Sequence, residues 1–192
     1  MKVLIVIPTH DRLEFLADAL DSLDVQTRKA DQIVVTGNVM SSPHPGVTFL
    51  PSDASLATRL NSVIDDSDCD AYIMLSDDDL LLPTYVEKTA ALMESTGADV
   101  VYTESGMIPV TALIRKAIWK KVGGYCDIGF FDWDFNWSCL ESGAIALPIR
   151  EHLFVYNQHP EQVATHARWH SNGTWDTWKD AIYAKHPRHG RP

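Results

Sequence analysis

The sequence lacks the features that mark several common classes of protein. Its 16 basic residues are outnumbered by 26 acidic ones, and the formal charge of −10 disfavours a nucleic-acid partner, which needs a basic face. No apolar run approaches the roughly 20 residues of a membrane helix, and Pro8 interrupts the apolar start, which argues against a signal peptide. We therefore expect a cytoplasmic protein with no membrane span.

Cysteine and glycine are too few or too scattered for three further kinds of site. Cys69, Cys126 and Cys139 are odd in number and show no CxxC spacing, so neither a zinc knuckle nor a disulfide framework is indicated. No glycine follows the first predicted strand, which excludes the Rossmann and Walker A phosphate loops. The sequence also contains no GxSxG nucleophile elbow.

Short apolar runs alternate with helix-spaced apolar residues in the first half of the chain. This alternation predicts an α/β fold with a mainly parallel central sheet flanked by helices. Helices are expected between the strands, one capped by Asp53 or Ser55 and one ended by Gly97. The predicted strands are residues 3–7, 33–35, 47–50, 72–75 and 99–103.

The second half of the chain departs from this alternation. Residues 113–122 are predicted to form a basic helix that stops at the following glycine pair, and two short strands are predicted at 144–147 and 153–156. The polar C-terminal stretch carries apolar residues at helical spacing. A length of 192 residues suits one domain.

The strongest local signal is the run Ser76-Asp77-Asp78-Asp79, directly after a predicted buried strand. Three consecutive carboxylates repel one another, and a hard cation such as Mg²⁺ or Mn²⁺ relieves that repulsion. Open α/β sheets bind ligands beyond the carboxyl ends of their strands, which is where this run falls. The run predicts a metal site, with a solvated acidic turn as the alternative.

A second acidic pair, Asp132 and Asp134, lies in the aromatic segment Phe131-Asp132-Trp133-Asp134. A carboxylate between aromatic side chains is partly desolvated, and desolvation raises its pKa towards the range of a general base. The alternative is structural, with one of the two aspartates capping a helix over residues 134–142.

Histidine and arginine supply weaker candidates. His166 and His170 are four residues apart without a third ligand at a diagnostic spacing, so we interpret them as surface histidines. Whether they or His159 join a metal site stays open. Arg59 and Asn61 lie on a predicted helix that can face the site, where an arginine suits a diphosphate. An ordinary surface position is the alternative for Arg59.

Seven motifs, taken in order, resemble the family 2 glycosyltransferases of GT-A fold. The motifs are VLIVIPTHDR (3–12), LDSLDVQT (20–27), QIVV (32–35), SLATRLN (55–61), SDDDLLLP (76–83), IRKAIWKKVGGY (114–125) and DWDFNWSCLESG (132–143). The resemblance covers about residues 3–160. Each motif is modest alone, but seven in the correct order are highly specific.

The resemblance implies a metal-dependent, inverting transfer of a sugar from a nucleotide-diphosphate sugar to an acceptor hydroxyl. Asp132 is then the catalytic base. Asp79, with Asp77 or Asp78, holds Mn²⁺ or Mg²⁺ at the leaving diphosphate, where the ion acts as a Lewis acid. The donor-binding residues that the resemblance implies are Pro8, Thr9, Asp11, Thr36, Arg59, Asp77 and Asp78.

The same resemblance divides the predicted single domain, residues 1–192, into three parts. Residues 1–103 form a nucleotide-binding half, 104–160 an acceptor and catalytic half, and 161–192 a C-terminal extension. The acceptor itself is not fixed and can be a glycan, a protein, a lipid-linked sugar or a small molecule. Trp169, Trp175 and Trp178 either stack on its sugar rings or pack the extension onto the core.

The sequence departs from the family after the second strand, where Thr36-Gly37-Asn38 replaces Asp-Asp-Gly-Ser. The aspartate that contacts uracil in the family is therefore absent. Two other functions stay open: a catalytically silent relative that binds nucleotide sugars or glycans, and a sugar nucleotidyltransferase. The missing glycine-rich loop disfavours the second of these.

Overall fold

The computed structural model describes residues 1–10, 12–38, 44–103, 108–159 and 174–189. In chain order its elements are β1 (Val3–Thr9), α1 (Leu13–Asp24), β2 (Gln32–Gly37), β3 (Val47–Pro51), α2 (Leu56–Asp66), β4 (Ala71–Met74), β5 (Leu80–Leu81), α3 (Tyr85–Thr96), β6 (Val100–Thr103), β7 (Leu113–Arg115), α4 (Lys116–Val122), α5 (Phe131–Glu141), β8 (Ala146–Ile149), β9 (Phe154–Val155) and α6 (Thr174–Lys185). A short 3-10 turn, Pro187–His189, follows α6.

Seven of these strands form a mixed sheet in the order β3-β2-β1-β4-β7-β6-β8. Its neighbours are parallel except where β7 pairs antiparallel with β4 and β6. The mainly parallel α/β fold predicted from the sequence is thus confirmed. Because β1, β2 and β4 are parallel, their carboxyl ends lie at one edge of the sheet.

Apolar layers cover both faces of the sheet. Leu20 of α1 packs in one layer, and Phe135 of α5 packs in the other. Successive residues of β1 contribute to opposite layers, as Ile5 and Val6 do, because side chains alternate along a strand. Coverage on both faces explains why the apolar run of β1 is continuous rather than alternating.

A second, two-stranded sheet lies beside the carboxyl edge. Leu80 of β5 pairs with Val155 of β9, and Leu81 pairs with Phe154, in antiparallel register. This pairing brings the chain that follows β9 next to the acidic run that precedes β5.

Gln26, which is 4% exposed, fastens the end of α1 to this region. Its Nε2 donates to the carbonyl oxygens of Leu81 at 3.1 Å and Leu82 at 2.8 Å, and its Oε1 accepts from the backbone N–H of Val86 at 3.1 Å. One buried amide side chain therefore satisfies three backbone groups of another segment.

Two helix boundaries differ from the sequence prediction. Leu113–Arg115, predicted as the start of a basic helix, is strand β7, and the helix begins at Lys116. A short apolar run is compatible with either structure, and pairing with two strands decides for the sheet. The helix predicted over 134–142 begins at Phe131, so neither Asp132 nor Asp134 is its N-cap.

Other boundary signals are confirmed. The Ser55 side chain caps α2 by accepting from the backbone N–H of Thr58 at 3.2 Å. Gly97 ends α3 in the left-handed conformation, with a φ of 73°. The two late strands shift to 146–149 and 154–155.

In the part of the chain that the structure describes, no helix is long and apolar enough to cross a membrane.

Candidate functional site

A cleft of about 1010 Å³ opens where β1 and β4 end. Its walls include Thr9, Arg59 and Asp79 from the strand-end side and Asp132 and Trp178 from α5 and α6. This is the edge at which open α/β sheets bind ligands. The fold therefore brings the two acidic motifs, more than 50 residues apart in sequence, to one cleft.

Asp77, Asp78 and Asp79 form a buried acidic cluster, with exposed fractions of 0%, 6% and 2%. The Arg12 guanidinium forms an ion pair with Asp77 and donates from Nη1 to Asp78 Oδ2 at 2.8 Å. Thr9 Oγ1 also donates to Asp77 Oδ2, at 2.6 Å. A solvated acidic turn does not describe this cluster, because its side chains are buried and paired.

Asp79 is the least compensated carboxylate of the cluster. Its Oδ1 accepts one hydrogen bond, from the backbone N–H of Asn157 at 3.1 Å. Burial, and then the neighbouring charge of Asp78, raise the pKa of Asp79 to about 7. Burial also raises the pKa of Asp77, although Thr9 and Arg12 oppose the change.

The oxygen donors of the acidic cluster suit a hard divalent cation, although its three carboxylates do not converge on one point in the described part of the chain. Three carboxylates face one arginine, Arg12, so negative charge is in excess among the described residues at this end of the cleft. Asp79 has an oxygen left for a metal. Asp77 accepts from Arg12 on both oxygens and from Thr9 on Oδ2, so a metal bound there would share these oxygens with Arg12.

His159 is the histidine that reaches the cluster among those the structure describes. Its Nε2 lies 3.0 Å from Asp78 Oδ2, and its ring stacks on Phe15 with ring centroids 4.3 Å apart. It comes from the chain after β9, which the pairing of β5 and β9 places here. His166 and His170 lie outside the described residues, as does Asp11.

Arg59 of α2 reaches the ends of β1 and β2. Its Nη1 donates to the carbonyl oxygens of Thr36 at 3.2 Å and Thr9 at 3.4 Å. Its Nε is buried without a partner among the described residues, and burial lowers the pKa of Arg59. Gly37 makes this approach possible, because a Cβ there would lie 1.9 Å from the Thr9 oxygen. A half-satisfied arginine at this edge suits an anionic ligand.

Of the predicted donor-site residues, Pro8 and Thr9 line the cleft, whereas Thr36 does not, and neither does Asn61. Thr36 is 2% exposed inside the sheet. Asn61 clamps the turn after α4, with Oδ1 accepting from the Tyr125 backbone N–H at 2.9 Å and Nδ2 donating to the Tyr125 carbonyl at 2.8 Å. Gly124 is required beside it, because a Cβ there would lie 2.6 Å from Asn61 Oδ1.

Asp132 and Asp134 have different environments although they are two residues apart. Asp132 lines the cleft at the first turn of α5. Burial raises the pKa of Asp132, while the backbone N–H groups of Trp133 and Asp132 partly oppose the change. Asp134 is 1% exposed and pairs with Lys185 Nζ at 2.7 Å and His186 Nε2 at 2.9 Å. Asp132 is therefore the carboxylate available to a ligand.

Three contacts of the site escaped the sequence analysis. Arg12 belongs to the first motif, but its partners lie 65 and 66 residues away. Asn157 meets Asp79 across 78 residues, and His186 meets Asp134 across 52. No local pattern marks any of these residues as a partner.

The mostly parallel sheet and its strand-end cleft define a protein of GT-A-like fold. The mannosyltransferase PcManGT from Pyrobaculum calidifontis, solved with GDP-Man and Mn²⁺, matches 99% of this chain and 65% of its own with a TM-score of 0.76 and 14% identity. TarS 1–349 from S. aureus, solved with UDP-GlcNAc, matches 84% of this chain and 60% of its own with a TM-score of 0.74 and 12% identity.

A similarity in sequence points in the same direction. The chain is 25% identical over 118 residues to the uncharacterized glycosyltransferase YwdF of Bacillus subtilis (strain 168). The matched region covers 56% of this chain and 43% of YwdF. No protein-family model matches the sequence. The chain thus spans less than half the length of this curated relative. Together these comparisons show that the chain has the fold of solved glycosyltransferases and resembles part of one in sequence.

Proposed function

We propose that this chain is a family 2 glycosyltransferase that transfers a sugar, with inversion and with a divalent cation, from a nucleotide-diphosphate sugar to an acceptor hydroxyl. The observation that carries the proposal is the placement of Asp132 and the acidic cluster on the walls of one strand-end cleft. The Mn²⁺ and GDP-Man bound by PcManGT support it.

The strand-end side of the cleft suits the donor. Arg59 lines this side of the cleft, where its guanidinium suits the diphosphate, and the backbone around Thr9 lies beside it for the nucleoside. Asp79, with Asp78 or Asp77, would hold Mn²⁺ or Mg²⁺. Such an ion supplies Lewis-acid stabilisation of the negative charge that develops on the leaving diphosphate.

The α5 side of the cleft suits the acceptor. The Asp132 carboxylate takes the proton of the acceptor hydroxyl as its oxygen forms a bond to the anomeric carbon. The bond from that carbon to the diphosphate breaks, and the diphosphate leaves with the electron pair. Attack opposite to the leaving group inverts the anomeric carbon. A raised pKa suits Asp132 to this step, because it makes the carboxylate a stronger base.

Release of nucleoside diphosphate from UDP-GlcNAc, GDP-Man and other nucleotide sugars tests the proposal. We expect release with Mn²⁺ or Mg²⁺, loss of release with EDTA, and a matching loss in Asp79→Ala. Asp18→Ala, an exposed aspartate on α1, is the matched control and should behave as wild type. Nucleotide binding without turnover would favour the alternative, a catalytically silent relative that binds nucleotide sugars. Equal release with and without metal would contradict the metal assignment.

A further inference from the structure

The α5 end of the cleft carries an aromatic wall made of Phe130, Trp133 and Trp178. The rings of Phe130 and Trp133 stack with centroids 5.0 Å apart, and the Trp178 ring meets Phe130 edge-on at 5.8 Å. Asp132 lies between two of these residues in sequence and lines the same cleft. The proposed reaction so far assigns no role to this wall.

The backbone is built to hold the aromatic wall in place. Phe130 has a φ of 57°, which makes it the non-glycine residue with left-handed backbone among those described. This conformation costs a residue with a side chain free energy, and such strain concentrates at functional sites. Gly129 leaves room for the neighbouring ring, because a Cβ there would lie 1.7 Å from Cδ2 of Trp178.

Helix α6, which carries Trp178, is fixed to α5 by the buried side chain of His186, the residue after the helix. His186 is 2% exposed, and its two ring nitrogens each lie 2.9 Å from a carboxylate oxygen, one of Asp134 and one of Glu141. Lys185 also pairs with Asp134, at 2.7 Å. These contacts set the position of the Trp178 ring relative to Asp132.

The chemistry of the wall selects the kind of ligand it can take. Aromatic faces pack against the apolar C–H face of a saturated sugar ring, and a carboxylate at the ring's edge accepts a hydrogen bond from a hydroxyl group. The arginines that line the described cleft, Arg12 and Arg59, contact the strand-end side instead. A phosphorylated acceptor group therefore finds no arginine at this wall.

We propose that Phe130, Trp133 and Trp178 form a subsite for a pyranose ring, so that the acceptor of the reaction is a carbohydrate. The ring stacks on the aromatic wall and presents a hydroxyl to Asp132. The assignment of the ring as acceptor rests on the proposed function. Binding of the ring itself does not, because it can be measured without a donor.

The test measures binding of methyl glycosides to the free protein by saturation-transfer NMR and tryptophan fluorescence. Methyl glucoside, galactoside, mannoside and N-acetylglucosaminide serve as probes, with cyclohexanol as an apolar ring of similar size. We expect at least one glycoside to bind and Trp178→Leu to weaken that binding roughly tenfold. Trp178→Phe, which keeps an aromatic ring, should retain most of it.

Gly129→Ala provides an independent variant, since it displaces the Trp178 ring without removing it. We expect it to weaken glycoside binding as Trp178→Leu does. Nucleotide binding, measured by thermal shift with UDP or GDP and Mn²⁺, should be unchanged in both variants. If the wild-type protein binds neither nucleotide, the proposed function is contradicted, whereas the subsite is not.

Three results would overturn the subsite. Wild-type protein that binds none of the glycosides, or that binds cyclohexanol as well as the glycosides, has no pyranose site. Unchanged glycoside binding in both Trp178→Leu and Gly129→Ala would place the site elsewhere. If Trp178→Leu fails to fold, Gly129→Ala and Trp178→Phe take its place. The subsite is overturned unless Gly129→Ala weakens glycoside binding and Trp178→Phe retains most of it.

Discussion

At the scale of single residues, the chemistry depends most on Asp132. Asp132→Asn keeps the shape of the side chain and removes its basicity, so we expect turnover to fall by roughly 10²-fold or more. Nucleotide affinity should change little, because a base that acts on the acceptor contributes in the transition state. Steady-state kinetics together with a nucleotide titration measure the two effects.

The control for this variant follows from the surroundings of the neighbouring aspartate. Asp134 is paired with Lys185 and His186 and is almost fully buried, so Asp134→Asn disturbs the docking of α6. Asp18→Asn, at an exposed position of α1, is the better control and should retain full activity. A fully active Asp132→Asn would show that another group is the base.

Asp79 predicts how stability depends on pH. Its pKa is about 7 in the folded protein and near 3.8 when unfolded, so the folded state holds more protons between these values. The free energy of unfolding should therefore fall as pH rises from about 4 to about 7 in metal-free protein. Asp79→Asn should flatten this slope in denaturant titrations at several pH values. An unchanged slope would show that Asp79 is ionised in the folded state.

The missing aspartate after β2 predicts weak selection of the nucleobase. Thr36 is buried. His10 lines the cleft, and Asn38 Nδ2 lies 3.2 Å from His10 Nδ1. Neither side chain is a carboxylate, which would give the charge-assisted hydrogen bond that discriminates most strongly among bases. We expect UDP, dTDP and GDP to bind within about tenfold of one another, as measured by calorimetry. A strong preference for UDP would show that another residue has replaced the aspartate.

The sequence predicted those parts of the site whose residues lie close together in the chain. Asp77–Asp79 and Asp132 were recognisable because clustered carboxylates and an aspartate between aromatics are unusual within a few residues. Asn61 lies on a predicted helix that can face the site, but its partner is the backbone of Tyr125, 64 residues away. Partners at such separations are set by the packed fold and leave no local pattern.

At the scale of elements, Gln26 joins α1 to the segment that follows the acidic cluster. Gln26→Met has a similar length but removes the hydrogen bonds to the Leu81 carbonyl and the Val86 N–H. The Leu82 carbonyl loses one bond and keeps the other, from the Tyr85 N–H at 2.9 Å. We expect a loss of about 2 kcal/mol or more in the free energy of unfolding. Denaturant unfolding measures it, and Gln32→Met at an exposed position is the matched control. Equal stability of both variants would contradict the role of Gln26.

Elements with clear local signals were predicted and elements defined by pairing were not. The Ser55 cap and the Gly97 terminus depend on neighbouring residues, and both are confirmed. Residues 113–115 carry an apolar pattern that suits a helix or a strand, and contact with β4 and β6 makes them a strand. The start of α5 at Phe131 carries no side-chain cap that the sequence could reveal.

At the scale of the whole molecule, the α/β class followed from the alternation of elements, whereas the order of the strands did not. The antiparallel strand β7 lies between β4 and β6, although β6 precedes it in the chain. The cleft, by contrast, lies where parallel strands of any such sheet bind ligands.

Ligand binding should raise the stability of the whole chain. A nucleoside diphosphate with Mn²⁺ at 100 times its dissociation constant would add about 2.7 kcal/mol to the free energy of unfolding, because it binds the folded state. We expect a rise in Tm with UDP or GDP and Mn²⁺, and no rise with nucleotide plus EDTA. A rise that survives EDTA would argue for metal-independent binding.

The buried acidic cluster also bears on how long the protein survives in a cell. Asp77, Asp78 and Asp79 repel one another inside the fold, and Arg12 compensates only part of their charge. Proteases and chaperones act on the small unfolded fraction, which changes tenfold for each 1.4 kcal/mol of stability. Under the proposed function, cells that make this protein and are rich in nucleotide sugar and divalent cation should accumulate more of it from the same amount of messenger RNA, and starved cells should degrade it sooner.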